Sequence, residues 1–193
     1  MKKITIIDYG LGNLRSIRKA LERVGAEPVI SSDSQNILDA DGVILPGVGA
    51  FIDAMKNLQP LTDAIYEYVD TGKPLLGICL GQQILMSKSD EGGLTNGVNL
   101  VPGHVKRFPS SELKVPHMGW NSITTNKDHP LLEGISDGTY VYFVHSYYVD
   151  TDEIHTLSSC DYGLSFAAVV VNEKGNVVGT QFHPEKSGKT GLK

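Results

Sequence analysis

The sequence predicts an α/β fold: a doubly wound, mostly parallel central sheet flanked by helices, with an added antiparallel element. Two observations support this prediction. Strand-like and helix-like segments alternate through the first half of the chain, which is typical of a parallel sheet covered by helices. After Gly92, short β-like runs follow one another among Gly, Pro and Asn residues. The 193 residues are enough for one substantial core, so we expect a single domain over residues 1–193.

The first half begins with a short apolar strand, Ile4–Ile7, and continues into a helix over Leu14–Val24. The apolar residues of that segment recur at helical spacing, and Gly25 is placed to end the helix. A second helix starts near Thr62 and ends at Gly72. Further strands are predicted at Val29–Ile30, Val43–Leu45 and Leu75–Ile78.

The second half of the chain is rich in predicted strands. Residues 172–176, Asn-Glu-Lys-Gly-Asn, separate two of these strands and have the composition of a hairpin loop. An antiparallel element therefore joins the sheet there. The predicted strands are Val105–Phe108, Tyr140–Val144, Phe166–Val171 and Val177–Phe182.

Composition and charge exclude several classes of protein. The net charge of −5 disfavours nonspecific binding to nucleic acid or to anionic membranes. The start of the chain resembles a signal peptide, but Asp8 ends the apolar run too early, and no segment is long enough to span a bilayer. We therefore expect a cytoplasmic protein. The two cysteines form no CxxC pair and the six histidines show no zinc-ligand spacing, so we expect neither a metal nor another cofactor.

The strand Leu75–Ile78 runs into Gly77-Ile78-Cys79-Leu80-Gly81, followed by a helical stretch through Gln82–Met86. Glycines on both sides of a cysteine allow the sharp strand-to-helix turn that raises a nucleophile above a sheet. The helix N-terminus favours the thiolate, and the Leu80 N–H is placed to receive an oxyanion. Alternatively, Cys79 is an inert buried thiol.

A second motif, Gln181-Phe182-His183-Pro184-Glu185, follows the last predicted strand. Pro184 favours an extended backbone, in which side chains two residues apart share a face about 6.6 Å from each other. His183 then takes the thiol proton as a base while Glu185 fixes its tautomer. Alone, the motif would be better interpreted as a surface turn with an incidental histidine. Because active sites of open α/β sheets lie at the carboxyl ends of strands, the two motifs together predict a Cys79, His183 and Glu185 triad.

A third motif, Pro46-Gly47-Val48-Gly49, follows the strand that ends at Leu45. A backbone N–H near Val48 would be a second oxyanion donor beside that of Leu80. Without the cysteine motif, the same glycines would indicate an ordinary turn between a strand and a helix.

These motifs resemble those of the class I glutamine amidotransferases, and the resemblance extends over almost the whole chain. Within that class, the chain is most similar to the glutaminase subunits of imidazole glycerol phosphate synthase, which act in histidine biosynthesis. Four segments carry the finer resemblance: Asp8-Tyr9-Gly10-Leu11-Gly12-Asn13, Pro116-His117-Met118-Gly119-Trp120-Asn121, Val144-His145-Ser146-Tyr147-Tyr148 and His183-Pro184-Glu185-Lys186-Ser187-Gly188.

The resemblance implies a reaction and a set of site residues. Glutamine is hydrolysed to glutamate and ammonia, with Cys79 as nucleophile, His183 as base and Glu185 as its orienting carboxylate. The residues expected to bind glutamine are Gly47, Gln83, Glu91, Ser146 and Tyr147. Glu91 is expected to meet the substrate ammonium.

The resemblance also implies a partner, a cyclase subunit of (β/α)₈-barrel fold that receives the ammonia in a heterodimer. Asn13, Trp120, Tyr142 and Lys186 match positions on the contact and ammonia-exit face. Three of them have a simpler interpretation: Trp120 as core, Lys186 as a solvated charge and Asn13 as a helix cap. Similar subunits usually continue past Lys193 into a last amphipathic helix, so we expect a shortened C-terminal edge.

Several alternatives remain open at this point. The glutaminase could serve another synthase, of the anthranilate or pyridoxal phosphate pathway, because those share the cysteine and His-Pro-Glu motifs. A binding module without activity on the same fold would be expected to lose the cysteine or the histidine. A dinucleotide site at Gly10-x-Gly12 fails because Arg15 stands where a third glycine is needed.

Overall fold

The computed structural model describes residues 1–110 and 113–193 of the chain. Its strands are β1 Lys3–Ile7, β2 Glu27–Ser31, β3 Gly42–Leu45, β4 Leu75–Ile78, β5 Lys88–Ser89, β6 Thr95–Asn96, β7 His104–Arg107, β8 His117–Ser122, β9 Thr124–Thr125, β10 Tyr140–His145, β11 Tyr147–Asp150, β12 Thr156–Asp161, β13 Ser165–Val171 and β14 Val177–Thr180. Its α-helices are α1 Leu14–Arg23, α2 Ser34–Leu38, α3 Phe51–Leu58, α4 Thr62–Asp70, α5 Leu80–Ile84 and α6 Gly188–Gly191.

The central sheet is mixed and has eight strands in the order β2-β1-β3-β4-β14-β13-β12-β9. The pairs from β2 to β14 are parallel, and the pairs from β14 to β9 are antiparallel. The carboxyl ends of β1, β3, β4 and β14 therefore meet at one edge, where the predicted site motifs follow the strands.

Alternate side chains of the parallel strands enter different cores, as expected for a pleated sheet covered on both faces. Ile6 of β1 and Ile78 of β4 pack with Ile17 of α1 on one face. Ile7 of β1 and Leu75 of β4 belong to the cluster formed with α3 and α4 on the other face. The predicted doubly wound fold is confirmed.

The antiparallel element is also confirmed. Asn172 and Val177 close the hairpin between β13 and β14, and Gly175 adopts φ +77° in the loop. Two smaller sheets complete the second half, one of two strands in the order β10-β8 and one of four in the order β11-β7-β5-β6.

Three local expectations were wrong. The helix after Cys79 spans Leu80–Ile84, because the turn is tight enough for it to start immediately, where we expected Gln82–Met86. The last strand stops at Thr180, two residues before the expected Phe182, because the backbone bends at Gln181 and Phe182. Pro184–Lys186 forms a 3₁₀ turn in place of an extended segment; Pro184 is tolerated there because it occupies the first helical position.

Among the residues that the structure describes, no helix is both long and apolar enough to cross a membrane.

Candidate active site

Cys79 lies on a strained turn between β4 and α5. Its backbone adopts φ 55° and ψ −108°, in a region that costs a residue other than glycine about 1–3 kcal/mol. A Cβ on Gly81 would stand 1.9 Å from the Leu45 carbonyl oxygen, and one on Gly77 would stand 2.7 Å from the Gly81 carbonyl oxygen. Neither glycine can carry a side chain, so the two of them let the turn pack against β3 with Cys79 at its apex.

His183 and Glu185 form a buried pair beside this turn. His183 Nδ1 lies 2.8 Å from Glu185 Oε1, and the side chains are 3% and 2% exposed. His183 itself is extended, with φ −95° and ψ 101°, and the 3₁₀ turn that begins at Pro184 brings the carboxylate back to the ring. Because a carboxylate accepts, Nδ1 carries the hydrogen and Nε2 is left to act as a base.

Opposing effects act on the pKa of His183, and their net result is a rise to about 9. Burial alone would lower this pKa, but interaction with the Cys79 sulfur and the hydrogen bond to Glu185 raise it by more. The raised pKa favours the imidazolium form of His183. Once His183 has taken a proton from Cys79, the arrangement can provide a sulfur nucleophile together with an acid for a leaving amine.

A cavity of about 260 Å³ lies next to Cys79. Val144 lines it, and the Val144 carbonyl oxygen is 3.9 Å from Cys79 Sγ. Four of the residues predicted to bind substrate share this cavity. Its lining consists of Gly49, Gln83, Glu91, Pro116, Val144, His145, Ser146 and Tyr147.

Gln83 and Glu91 present acceptor groups to the cavity. Gln83 Nε2 donates to the Tyr147 carbonyl at 3.0 Å and to Gln181 Oε1 at 3.1 Å, so both amide hydrogens are used within the protein and its oxygen remains. Glu91 accepts the Phe51 N–H at 3.0 Å. Burial raises the pKa of Glu91, and the Phe51 bond partly opposes that shift.

The segment after β3 is held at both ends and open in its middle. The Tyr9 hydroxyl donates to the Pro46 carbonyl at 2.6 Å, and a Cβ on Gly47 would stand 2.7 Å from Gly81 N. At the far end, the carboxylate of Glu91 binds the Phe51 amide. Between these anchors, Val48 is 42% exposed and Gly49 adopts φ +104°. Gly47 therefore packs on the cysteine turn and does not line the cavity, whereas Val48 lies in the exposed part of the segment.

The four residues expected at a partner interface lie on one side of the site. Trp120 is 55% exposed, so its interpretation as core is wrong, and it meets Tyr142 edge to face at 6.1 Å. Lys186 is exposed, and its 3₁₀ turn contacts α1, whose N-cap residue is Asn13. The Asn13 side chain makes no capping hydrogen bond, so a capping role does not account for it.

Sequence reasoning missed residues that connect these parts. Ser187 Oγ donates to the His183 carbonyl at 2.7 Å and accepts from Tyr142 N at 3.0 Å, which fixes the His183 backbone to β10. Gln181 Nε2 lies 3.7 Å from Cys79 Sγ. The signal for Gln181 was its position: in a parallel pair, the residues that follow two matched strand ends lie side by side.

Comparison with known proteins identifies relatives across the whole chain. A family model described as glutamine amidotransferase class-I matches residues 5–192. The imidazole glycerol phosphate synthase subunit HisH of Methanosarcina acetivorans is 69% identical, over 100% of this chain and 96% of that protein. The subunits of the same name from Halobacterium salinarum and Archaeoglobus fulgidus are 53% and 49% identical, each over 98% of this chain, and 89% and 94% of their own lengths are covered.

Solved structures share the architecture at lower identity. PurLQS from Thermotoga maritima matches with a TM-score of 0.78 and 24% identity, over 100% of this chain and 95% of that one. A structure described as a glutamine amidotransferase matches with a TM-score of 0.75 and 18% identity, over 97% of this chain and 94% of that one. At these identities the likeness concerns the fold alone.

Proposed function

The chain belongs to the class-I glutamine amidotransferases and, within them, to the HisH subunits of imidazole glycerol phosphate synthase, and from this premise we propose how it works. It is the glutaminase of that synthase and feeds ammonia into histidine biosynthesis. The observation that carries the mechanism is the buried contact of His183 with Glu185 at 2.8 Å, directly beside the strained Cys79 turn.

In the proposed reaction, His183 Nε2 takes the Cys79 proton and the sulfur attacks the side-chain amide carbon of glutamine. The tetrahedral intermediate collapses when the imidazolium protonates the amide nitrogen, and ammonia leaves. Water then attacks the thioester, His183 takes the water proton, and the C–S bond breaks to release glutamate and the free thiol. Glu185 stabilises the imidazolium in both halves of the cycle.

The cavity is proposed to hold the amino-acid end of glutamine. The Gln83 oxygen and the Glu91 carboxylate are acceptors, which suit the substrate ammonium. Ser146 and Tyr147 complete the wall, and Gly47 contributes indirectly because it lets the Val48 segment lie against Leu80. The substrate amide is thereby directed towards Cys79.

We assign the oxyanion hole to the N–H groups of Val48 and Leu80. Leu80 follows the nucleophile at the start of α5, so its amide has no partner of its own earlier in that helix. Val48 lies in the open middle of a segment whose two ends are anchored. We infer that its peptide turns inward only when a partner docks. Because losing one such donor costs about 10²–10³ in rate, the isolated chain should be nearly idle.

The proposed partner is the cyclase subunit of the synthase, a (β/α)₈ barrel, and the complex is a cytoplasmic heterodimer. Trp120, Tyr142, Lys186 and Asn13 form the face that it covers. Through Ser187, the β10 strand of this face is bonded to the His183 backbone, so docking acts on a segment of the active site. Ammonia should pass across this interface, because in bulk water it would become ammonium, which is not a nucleophile.

Glutamate release from glutamine tests the proposal. It would be measured for the chain alone, with the cyclase subunit and its ribonucleotide substrate, and with the synthase subunits of the anthranilate and pyridoxal phosphate pathways. We expect turnover only with the cyclase, and none in the Cys79→Ala variant. Turnover with another synthase and none with the cyclase would overturn the assignment.

A further inference from the structure

Strand register places a glutamine beside the nucleophile. Ile78 of β4 is matched with Thr180 of β14, so the next residues, Cys79 and Gln181, emerge side by side at the same edge of the sheet. Gln181 is completely buried, its backbone N–H donates to the Ala168 carbonyl at 2.8 Å, and its Nε2 lies 3.7 Å from Cys79 Sγ.

The orientation of this amide follows from its neighbours. A backbone carbonyl can only accept, so the Gln83 atom 3.0 Å from the Tyr147 oxygen is its NH₂ group. That NH₂ group also lies 3.1 Å from the Gln181 side chain, which must therefore present its oxygen to Gln83. The other end of the Gln181 amide, the NH₂ group, then faces the Cys79 sulfur.

The Tyr147 carbonyl is itself fixed by a buried histidine pair. His145 Nδ1 donates to it at 2.7 Å, which leaves His145 Nε2 to accept from His117 Nδ1 at 2.9 Å. His117 Nε2 lies 3.3 Å from the Asn121 amide nitrogen, which also donates to the Asp161 carbonyl. In this series each imidazole donates from Nδ1 and accepts at Nε2. Each ring therefore carries a single hydrogen and is neutral.

Burial keeps both rings neutral: it lowers the pKa of His117 to about 4 and that of His145 to about 3. The chain of donors thus runs in one direction from Asn121 through the two histidines to the Tyr147 carbonyl. Gln83 donates to the same carbonyl, which fixes the orientation of the Gln83 amide. The Gln83 amide in turn fixes the orientation of the Gln181 amide.

We propose that Gln181 is a further catalytic residue, which donates an N–H to the Cys79 thiolate, and that Gln83 and the Tyr147 carbonyl hold its amide in the donating orientation. A hydrogen bond to the charged sulfur favours thiolate over thiol and fixes its direction of attack. The contribution to turnover rests on the proposed function. The donor contact with the sulfur does not, and can be tested without glutamine.

The test is the pH profile of Cys79 alkylation by iodoacetamide in the full chain without partner or glutamine, followed by mass spectrometry of the Cys79 peptide. In Gln181→Met the sulfur loses its donor, and we expect the midpoint to rise by about one pH unit. Gln181→Glu places an anion at the same point and should raise it further. Because His183 titrates near the same range, each variant is compared with the wild type at every pH.

Gln82 provides a matched control for burial. Gln82 precedes Gln83 in the chain and, like Gln181, is completely buried. Its Nε2 donates to the Ala167 carbonyl at 3.4 Å and not to the sulfur. Gln82→Met should leave the profile unchanged. Gln83→Met frees the Gln181 amide to rotate, so it should shift the midpoint in the same direction as Gln181→Met, by a smaller amount. Circular dichroism identifies folded variants.

The outcomes separate the two proposals. Superimposable profiles for the wild type and both folded Gln181 variants would overturn the inference, even if the complex hydrolyses glutamine. A shifted profile with no glutamine hydrolysis in any complex would support the sulfur contact and refute the proposed function. If Gln181 shifts the profile and Gln83 does not, the orienting role of Gln83 is wrong. If the sulfur contact and the proposed function are both correct, kcat of Gln181→Met in the complex should fall about tenfold, with a smaller change in KM.

Discussion

The Cys79 amide donates to the Thr180 carbonyl at 2.7 Å, so the strand that leads to Cys79 is bonded to the strand that leads to His183. This bond continues the parallel pairing of β4 and β14 past the last matched residues, Ile78 and Thr180. Residues that are about a hundred positions apart in the chain therefore hold a fixed register at the active site. The precise placement of His183 relative to Cys79 is a consequence of sheet pairing, which an exposed loop could not provide.

The cysteine turn should tolerate no side chain at Gly81. In Gly81→Ala the new Cβ would stand 1.9 Å from the Leu45 carbonyl oxygen, which is backbone and cannot give way cheaply. We expect a loss of at least about 1–3 kcal/mol in the free energy of unfolding, measured in urea, together with loss of activity. Gly175→Ala is the control, because it has open space and suffers only from its φ of +77°. Equal losses in the two variants would contradict this account of the turn.

Glu185 should matter through the tautomer of His183. In Glu185→Gln an amide replaces the carboxylate that accepts from Nδ1 and stabilises the imidazolium. We expect kcat for glutamine hydrolysis in the complex to fall by about 10²–10⁴, with little change in KM. Glu173→Gln, on the exposed hairpin loop, should behave like the wild type. A kcat for Glu185→Gln within twofold of the wild type would remove Glu185 from the triad.

The raised pKa of His183 predicts a pH dependence of stability. The pKa of His183 is about 9 in the folded protein and 6.5 for an unperturbed histidine. The contribution of this residue to stability is therefore complete below pH 6.5 and is lost as the pH rises towards 9. The free energy of unfolding should therefore fall more between pH 6.5 and pH 9 in the wild type than in His183→Gln. Urea unfolding at the two pH values measures this difference, and parallel behaviour of the two proteins would argue against the ion pair.

Tyr9 should act on the segment that carries Val48. Tyr9→Phe removes the 2.6 Å hydrogen bond to the Pro46 carbonyl, which anchors that segment. We expect a fall of about tenfold in kcat in the complex, beyond a stability loss of about 1–3 kcal/mol. Tyr68→Phe is a matched control, since Tyr68 is also buried and donates to a proline carbonyl, at Pro74, away from the site. If both variants lose the same activity, the anchoring role is wrong.

The sequence predicts the fold well where apolar periodicity is strong. The strand Leu75–Ile78 has the predicted bounds and the helix from Leu14 ends one residue early. Most of that strand is buried, and in the helix Ile17 is buried with Leu14 and Leu21 packed beside it. A strand such as β8, His117–Ser122, has no such signal: His117 is the only buried residue of the six, and Gly119 has φ +128°. Its pairing depends on distant segments, which local pattern does not contain.

Local pattern could predict only part of the arrangement at the proposed site. The motifs around Cys79 and His183 place both residues at strand ends, because parallel strands bring those ends together. What local pattern could not provide is the hydrogen bonding across the fold. The buried pair His117 and His145, and the contact of Gln181 with the sulfur, depend on strand register and on tertiary packing.

The role of Cys79 can be tested by glutamate release from the complex with the cyclase subunit, measured for the wild type, Cys79→Ser and Cys160→Ser. Both cysteines are buried, but Cys160 lies on the antiparallel strand β12, in a different core cluster from Cys79, and burial raises the pKa of its thiol to about 12. We predict that Cys79→Ser abolishes glutamate release and that Cys160→Ser retains it. Release that survives in Cys79→Ser, or is lost only in Cys160→Ser, would contradict the assignment of Cys79 as the nucleophile.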